Sequence, residues 1–357
     1  MRTWLLWISF CVGSFRASAQ TQDDTIARRV DRLVSSVVTA LHPGLSLAVV
    51  QDGQLVLAKA YGMADLERQE PNTRETIFDV AALSEQFTGF AVACLVDSGK
   101  LSLDDEVRKY VPELADLGRS LTIRHLLLHS SGLRDYGDSL YLQGYRDENM
   151  QQDQALETIF RQRKLQFEPG KRYCYSRSDY TLLALICERV SKIFFPVWIH
   201  RHVFEPLKMT HSFYQSDPDM LIRGRAASYL PEGAGYRKLE LYSSVMGARG
   251  LQSSAGDLAL WLSNFTVPVA GNAAVLAAMN TPPVPRFLQY NYGQVFTRHR
   301  RLRLVEQRGA EAGYRSYMCR FPERGLAVVL LGNIVSIDAR SLALQVADIY
   351  LGKTAAR

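Results

Sequence analysis

The chain is poor in the features that announce many protein classes. Five cysteines in 357 residues form no Cys-x-x-Cys pair and no zinc-ligand spacing. The seven histidines do not cluster as metal ligands, so neither a metal nor an organic cofactor is expected. No internal repeat, low-complexity tract or obvious linker is present, which argues against solenoid and disordered architectures. Beyond the first twenty residues, no apolar run is long enough to cross a bilayer. Neither sign of charge dominates: 42 Lys and Arg against 36 Asp and Glu leave +6, too mild over a whole domain to argue for nucleic acid. The densest basic run, "RHRRLRLVEQR" from Arg298 to Arg308, reads as a hairpin strand with its arginines turned to water.

What is present is ordinary for a folded protein. Apolar residues make up 47% and charged residues 22%. The length suits one large domain or two ordinary ones. The start, "MRTWLLWISFCVGSFRASAQ", has a positive end, a short apolar core and the small-residue site Ala17-Ser18-Ala19. That is the pattern of a secretory signal, residues 1–19, cleaved after Ala19 to give a secreted or periplasmic protein. A lipid anchor on Cys11 is disfavoured by bulky Phe10 before it. Cleavage removes Arg2 and Arg16 and no acid, leaving 40 − 36 = +4. Export permits disulfides, but Cys94, Cys174, Cys187 and Cys319 are expected as buried free thiols.

Residues 24–41 repeat apolar side chains at helical spacing. "GLSLAVVQDGQLVLAKAYG" then gives two β-rich runs about Asp52-Gly53, a strong hairpin signal. From about residue 82 the pattern turns helical, in "SEQFTGFAVACLVDSG", "LTIRHLLLHSSGL", "QALETIFRQRK", "SDYTLLALICERVSK" and "SAGDLALWLSNF". Several of these open on Ser, Thr or Asp as helix caps. Near residue 290 strands return: "NYGQVFTR", "RLRLVEQRG", "YRSYMCRFP" and "GLAVVLLGN". "IDARSLALQVADIYLG" closes the chain as a helix. The simplest assembly is α+β: an antiparallel sheet joining early and late strands, flanked by the terminal helices. An α/β lobe of about 24–80 and 290–357 would carry an inserted, mostly helical lobe of about 81–289. A ligand cleft is expected between the two.

The mature chain, 20–357, resembles the serine β-lactamase and penicillin-binding-protein superfamily, in particular its class C β-lactamase-like esterases and peptidases. The resemblance runs from about residue 44 to 333 through "GLSLAVVQDGQLVLAKAYGMADLE", "GKLSLDDEVRKYVPE", "LTIRHLLLHSSGL", "FEPGKRYCYSRSDYTLLALICERVS", "FEPLKMTHSFY", "RGLQSSAGDLALWL" and "AGYRSYMCRFPERGLAVVLLGN", in that order. It implies a two-lobed fold with an acylation site between the lobes. Three motifs carry the chemistry there: Ser-x-x-Lys at a helix start, Tyr-x-Asn, and Lys/His-x-Gly on a strand.

In register with Phe78-Asp79 and Gln86-Phe87-Thr88, the serine position is Ala82 and the lysine position is Glu85. Alanine has no nucleophilic atom, and glutamate has the opposite charge from lysine. No Ser-x-x-Lys occurs in any register. The second motif falls on Tyr175-Ser176-Arg177, with arginine for asparagine. The third falls on Gln307-Arg308-Gly309, where glycine is kept and the basic residue is gone. Ser84, about 200° around the helix from Ala82, reads as a packing or solvent serine. Ser176, His129 and Cys174 read as structural rather than catalytic. The family geometry sets the lysine and asparagine positions face to face, so Glu85 and Arg177 are expected to form a salt bridge.

The resemblance and the residues together imply a catalytically inactive homologue whose cleft binds a ligand or partner. A cell-wall fragment, a peptide or a small ester-like molecule fits, with Tyr175, Arg177, Arg308 and Gly309 as binding residues. An active hydrolase with a rearranged site and a purely structural exported protein are the alternatives.

Overall fold

The computed structural model describes residues 25–142, 144, 149–285 and 288–352. The expected signal segment, with Cys11, lies outside them. The molecule is built on a seven-stranded antiparallel sheet. Its strands are β1 (Leu45–Gln51), β2 (Gln54–Tyr61), β3 (Tyr290–Asn291), β4 (Gln294–His299), β5 (Leu302–Glu311), β6 (Tyr314–Phe321) and β7 (Leu326–Gly332). Their order is β3-β4-β5-β6-β7-β1-β2, so the early hairpin pairs with the last strand through β1 and β7. The α+β expectation holds.

The two central strands show why the sheet sits where it does. β1 and β7 read as nearly unbroken apolar runs because both of their faces are covered. On one face, Leu45, Leu47, Val49, Val328 and Leu330 pack with Val30 and Val34 of α1 (residues 25–35) and with Leu342 and Val346 of the C-terminal helix, Ala339–Leu351. On the other, Ala48, Val50, Val329 and Leu331 join the larger core with Phe87, Phe90 and Trp261. Asp52 and Gly53 turn the β1–β2 hairpin with φ of 51° and 78°, the positive values that a tight two-residue hairpin demands.

The helices that carry or buttress the site are α2 (Ser84–Asp97), α3 (Arg177–Ser191), α4 (Ala255–Ser263) and α5 (Ala273–Asn280); the C-terminal helix is α6. α2 runs out at Gly99, whose φ is 69°. Ser254 caps α4 by accepting from the Asp257 amide at 3.1 Å. The basic run behaves as expected at its ends, where Arg298, Arg300, Arg301 and Arg308 are exposed. Arg303 differs, being half-buried. All four described cysteines are free thiols, Cys187 and Cys319 buried, Cys94 and Cys174 partly so.

Candidate functional site

A short 3-10 turn, Ala81–Leu83, leads into α2 and carries the serine position. Buried Asp79 holds it in place: its carboxylate accepts from the Ala81 amide at 2.8 Å and from Gln252 Nε2 at 2.6 Å. β5 presses against this turn from the side. A Cβ on Gly309 would lie 2.4 Å from Ser316 Oγ and 2.5 Å from the Val80 carbonyl oxygen, so only glycine allows the approach. Ser316 Oγ in turn donates to the Val80 carbonyl at 2.7 Å. The result is a half-buried Ala82 methyl in the wall of a cleft of about 570 Å³, with Tyr175, Arg177, Arg249 and Arg315 around it. Arg308 is exposed, and neither it nor Gly309 lines that cleft.

Glu85 sits in the first turn of α2 with its side chain wholly buried. One carboxylate oxygen accepts from Tyr175 Oη at 2.9 Å. The other accepts from Tyr290 Oη and, at 3.1 Å, from Gln307 Nε2. The Gln307 amide nitrogen also lies 3.3 Å from the Ala82 carbonyl and 2.9 Å from Tyr290 Oη. His129 Nε2 stands 3.6 Å from the same carboxylate, while its Nδ1 meets Asp179 Oδ2 at 2.9 Å. Ser131 Oγ donates to the other Asp179 oxygen at 2.5 Å. A row of Asp179, His129 and Glu85 thus runs under the cleft, and the imidazole has Tyr173, Tyr175, Tyr180 and Tyr290 around it.

Burial alone would keep His129 neutral, but the hydrogen bond with Asp179 and the charges of Asp179 and Glu85 outweigh it and lift the imidazole to about 9. Burial pushes Asp179 up to about 6 despite its bond to His129. Buried Tyr290, and Tyr175, which is 39% exposed but turns its hydroxyl inward onto Glu85, are held well above the usual phenol range, by desolvation first and then by the Glu85 carboxylate. Both phenols are therefore proton donors to Glu85, and a general base at Tyr175 has no chemical footing in this arrangement.

The expected Glu85–Arg177 salt bridge does not form. Arg177 opens α3, and its Nη2 lies 2.8 Å from Asp135 Oδ1, with Nε at 2.9 Å from the same oxygen. Its backbone amide also donates to Asp135 Oδ2 at 2.7 Å. Asp135 caps the helix Tyr136–Tyr141 through the Gly137 amide, so it is fixed where the guanidinium can reach it. Gly137 makes the room: a Cβ there would lie 1.8 Å from Arg177 Nη2. Burial works against the Asp135 charge, but Arg177 and two amides overcome it and hold the carboxyl below its ordinary range. Glu85, surrounded by neutral donors and His129, needs no arginine.

None of Ser84, Ser176 and Cys174 lines the cleft. Ser84 Oγ donates to the Ala81 carbonyl at 2.6 Å and accepts from the Leu251 amide at 3.2 Å, turned away from the cleft. Ser176 is 1% exposed, and its Oγ has no hydrogen-bond partner. The sequence did not single out Asp135, Asp179, Arg249, Tyr290 or Arg315, all of which belong to the site. Tyr290 lies 205 positions from Glu85 and carries no local signal. Asp179, two residues beyond Arg177 and on the same helix start, was within reach of a reading that asked what His129 would need as a partner.

The β-lactamase family model matches residues 29–351, and the chain belongs to that family, within the serine β-lactamase and penicillin-binding-protein superfamily. Protein flp of Staphylococcus aureus strain N315 is 28% identical to it over 193 residues, 53% of this chain and 38% of that protein. A protein of Escherichia coli K12 named "Putative D-alanyl-D-alanine carboxypeptidase" is 30% identical over 209 residues, 52% of this chain and 46% of that one. The matched region therefore spans less than half the length of either relative. Among solved structures, the octameric penicillin-binding protein homologue from Pyrococcus abyssi superposes with a TM-score of 0.78 at 25% identity, covering 94% of this chain and 78% of that one.

Proposed function

We propose that this protein is an exported, non-acylating member of its family whose cleft binds a small, peptide-like ligand bearing a carboxylate. The observation that carries this reading is the pair Ala82 and Glu85. A methyl stands where an attacking oxygen belongs, and a carboxylate saturated by Tyr175, Tyr290 and Gln307 stands where an amine would take the proton. The ligand class is supported by Arg315. This cleft-lining guanidinium donates to the Ala312 and Tyr314 carbonyls, at 3.3 and 2.7 Å, and the one carboxylate among the described residues that attracts it, Glu311, is ion-paired to Arg249. Arg177 and Arg249, by contrast, are matched by Asp135 and Glu311 at 2.8 and 2.7 Å. The name of the Escherichia coli relative points to the same chemistry, a peptide ending in a free carboxylate.

The test combines covalent labelling with binding. Incubation with a fluorescent penicillin and a fluorophosphonate should leave the intact mass unchanged, while D-alanyl-D-alanine should raise the melting temperature. Arg315→Gln should weaken that binding by about tenfold or more, the worth of a charge-assisted hydrogen bond. An adduct on one serine, abolished by mutating that serine, would establish a rearranged hydrolase instead. No thermal response to any peptide would leave only a scaffold role. Export is read from the mature N-terminus of the protein secreted by a bacterial host, expected at Gln20.

A further inference from the structure

A second cavity, of about 740 Å³, lies at the other end of the same strands. Arg315 and Arg320 sit on one strand, β6, five residues and so ~17 Å apart along it. The cavity is walled by the β1–β2 turn, the β6–β7 connection, Leu262 near the end of α4 and Phe265 just beyond it, Asn280 at the end of α5, and Arg303 on β5.

Its chemistry is out of balance. Arg320 is only 6% exposed, yet its two side-chain hydrogen bonds among the described residues go to neutral amides: Nη1 to Asn280 Oδ1 at 2.7 Å and Nη2 to Gln294 Oε1 at 2.5 Å. Its guanidinium carbon lies 3.6 Å from the centre of the Phe265 ring. No carboxylate of the described residues pairs with it. A guanidinium has five N–H donors, so these two bonds leave three unspent. Beside it, Arg303 Nε is buried with no hydrogen-bond partner, and the nearest carboxylate oxygen, on exposed Glu323, is 3.7 Å away. The other acid of the wall, Asp52, is exposed on its turn. Burial, reinforced by the charge of Arg303, pulls Arg320 down to about 9. A buried cation without a counter-ion is expensive to maintain, and ring and amide dipoles offset only part of that cost.

We propose that this cavity is a second ligand site, separate from the cleft, in which Arg320 and Arg303 receive the oxyanion group, phosphate or carboxylate, of a small molecule. Its volume is that of a pocket for a drug-sized ligand. Planar guanidinium donors suit either oxyanion. The Phe265 and Leu262 side chains give the remainder of such a molecule an apolar wall. The inference does not rest on the cleft ligand proposed above.

The test titrates the mature protein with inorganic phosphate and, separately, with benzoate, each against chloride at equal ionic strength, by calorimetry and thermal shift. At least one of the two anions should bind and stabilise the protein, and the arm that responds identifies the oxyanion. Arg303→Gln and Arg320→Gln should each weaken that binding by at least tenfold, and Arg315→Gln should leave it unchanged. Arg303→Gln keeps the test decisive if the buried Arg320 variant fails to fold. Indifference of the wild-type protein to both anions overturns the proposal, as does unaltered binding in Arg303→Gln, or loss of binding in Arg315→Gln.

Discussion

Glu85 inverts the electrostatics of its site. A lysine at this position would want acceptors around it, whereas every group that reaches Glu85 here is a donor or a histidine with a raised pKa. That makes His129 the natural place to look for a pH signature. Its imidazole is raised to about 9 in the fold against ~6.5 unfolded. The protonated form thus stabilises the fold fully below about pH 6.5, and that contribution is lost as pH rises through about 9. The melting temperature should fall between pH 7 and 9.5 by several degrees more in the wild type than in His129→Gln. Equal slopes would show that Asp179 and Glu85 do not hold the proton. Arg177 offers a second residue-scale prediction. Removing it alone leaves Asp135 buried and unpaired, at a cost of about 3 kcal/mol. A thermodynamic cycle of Arg177→Gln with Asp135→Asn should show strong coupling in chemical denaturation. The cycle of Arg177→Gln with Glu85→Gln should be additive within ~0.5 kcal/mol.

The 3-10 turn and β5 are the elements that decide where Ala82 points. They touch through the absence of a side chain at Gly309, and Val80, Ala81 and Ser316 occupy the space that a Cβ would need. Gly309→Ala should destabilise the protein by about 1–3 kcal/mol, the usual cost of overpacking a filled site, with a fall in the denaturant midpoint. The glycine retained from the third motif is thus explained by packing, whatever the chemistry of its neighbours. The hairpin joining β4 and β5 shows a different economy. Arg300 and Arg301 hold it with φ of 47° and 66°, values that favour Asn or Gly. The turn is tied down instead by Asp348 of α6, which meets Arg300 at 2.9 Å and His299 at 2.8 Å. Periodicity placed the flanking strands correctly, because alternation within a strand is local. It gave no sign that two arginines would make the turn, since the anchoring acid lies nearly fifty residues further on.

For the whole molecule, the site is assembled from segments near residues 82, 129, 135, 175 and 307, so its character is a property of the assembly and not of one motif. Restoring two residues should accordingly fail. Ala82→Ser with Glu85→Lys would set a buried ammonium against His129, Gln307 and two phenols arranged for a carboxylate. We expect a loss of about 3 kcal/mol in stability and no ester hydrolysis above background with a chromogenic acyl ester. Hydrolysis by this double variant would mean that the remaining residues are those of a working enzyme. The sequence by itself determined the long strands of the main sheet, the β1–β2 hairpin, the family resemblance and the chemical identity of positions 82 and 85, because these depend on local periodicity, turn chemistry and motif order. The short strands Phe213–Tyr214, Ser228–Glu232, Gly235–Leu239 and Leu251–Ser253 within the mostly helical stretch were not legible. Only the tertiary structure decided which charges meet. Arg177 turned to Asp135, Glu85 gathered Tyr175, Tyr290, Gln307 and His129, and Arg320 was left without a counter-ion among the described residues. Such pairings depend on angstrom-scale distances between side chains far apart in the chain, and no one-dimensional pattern encodes those distances.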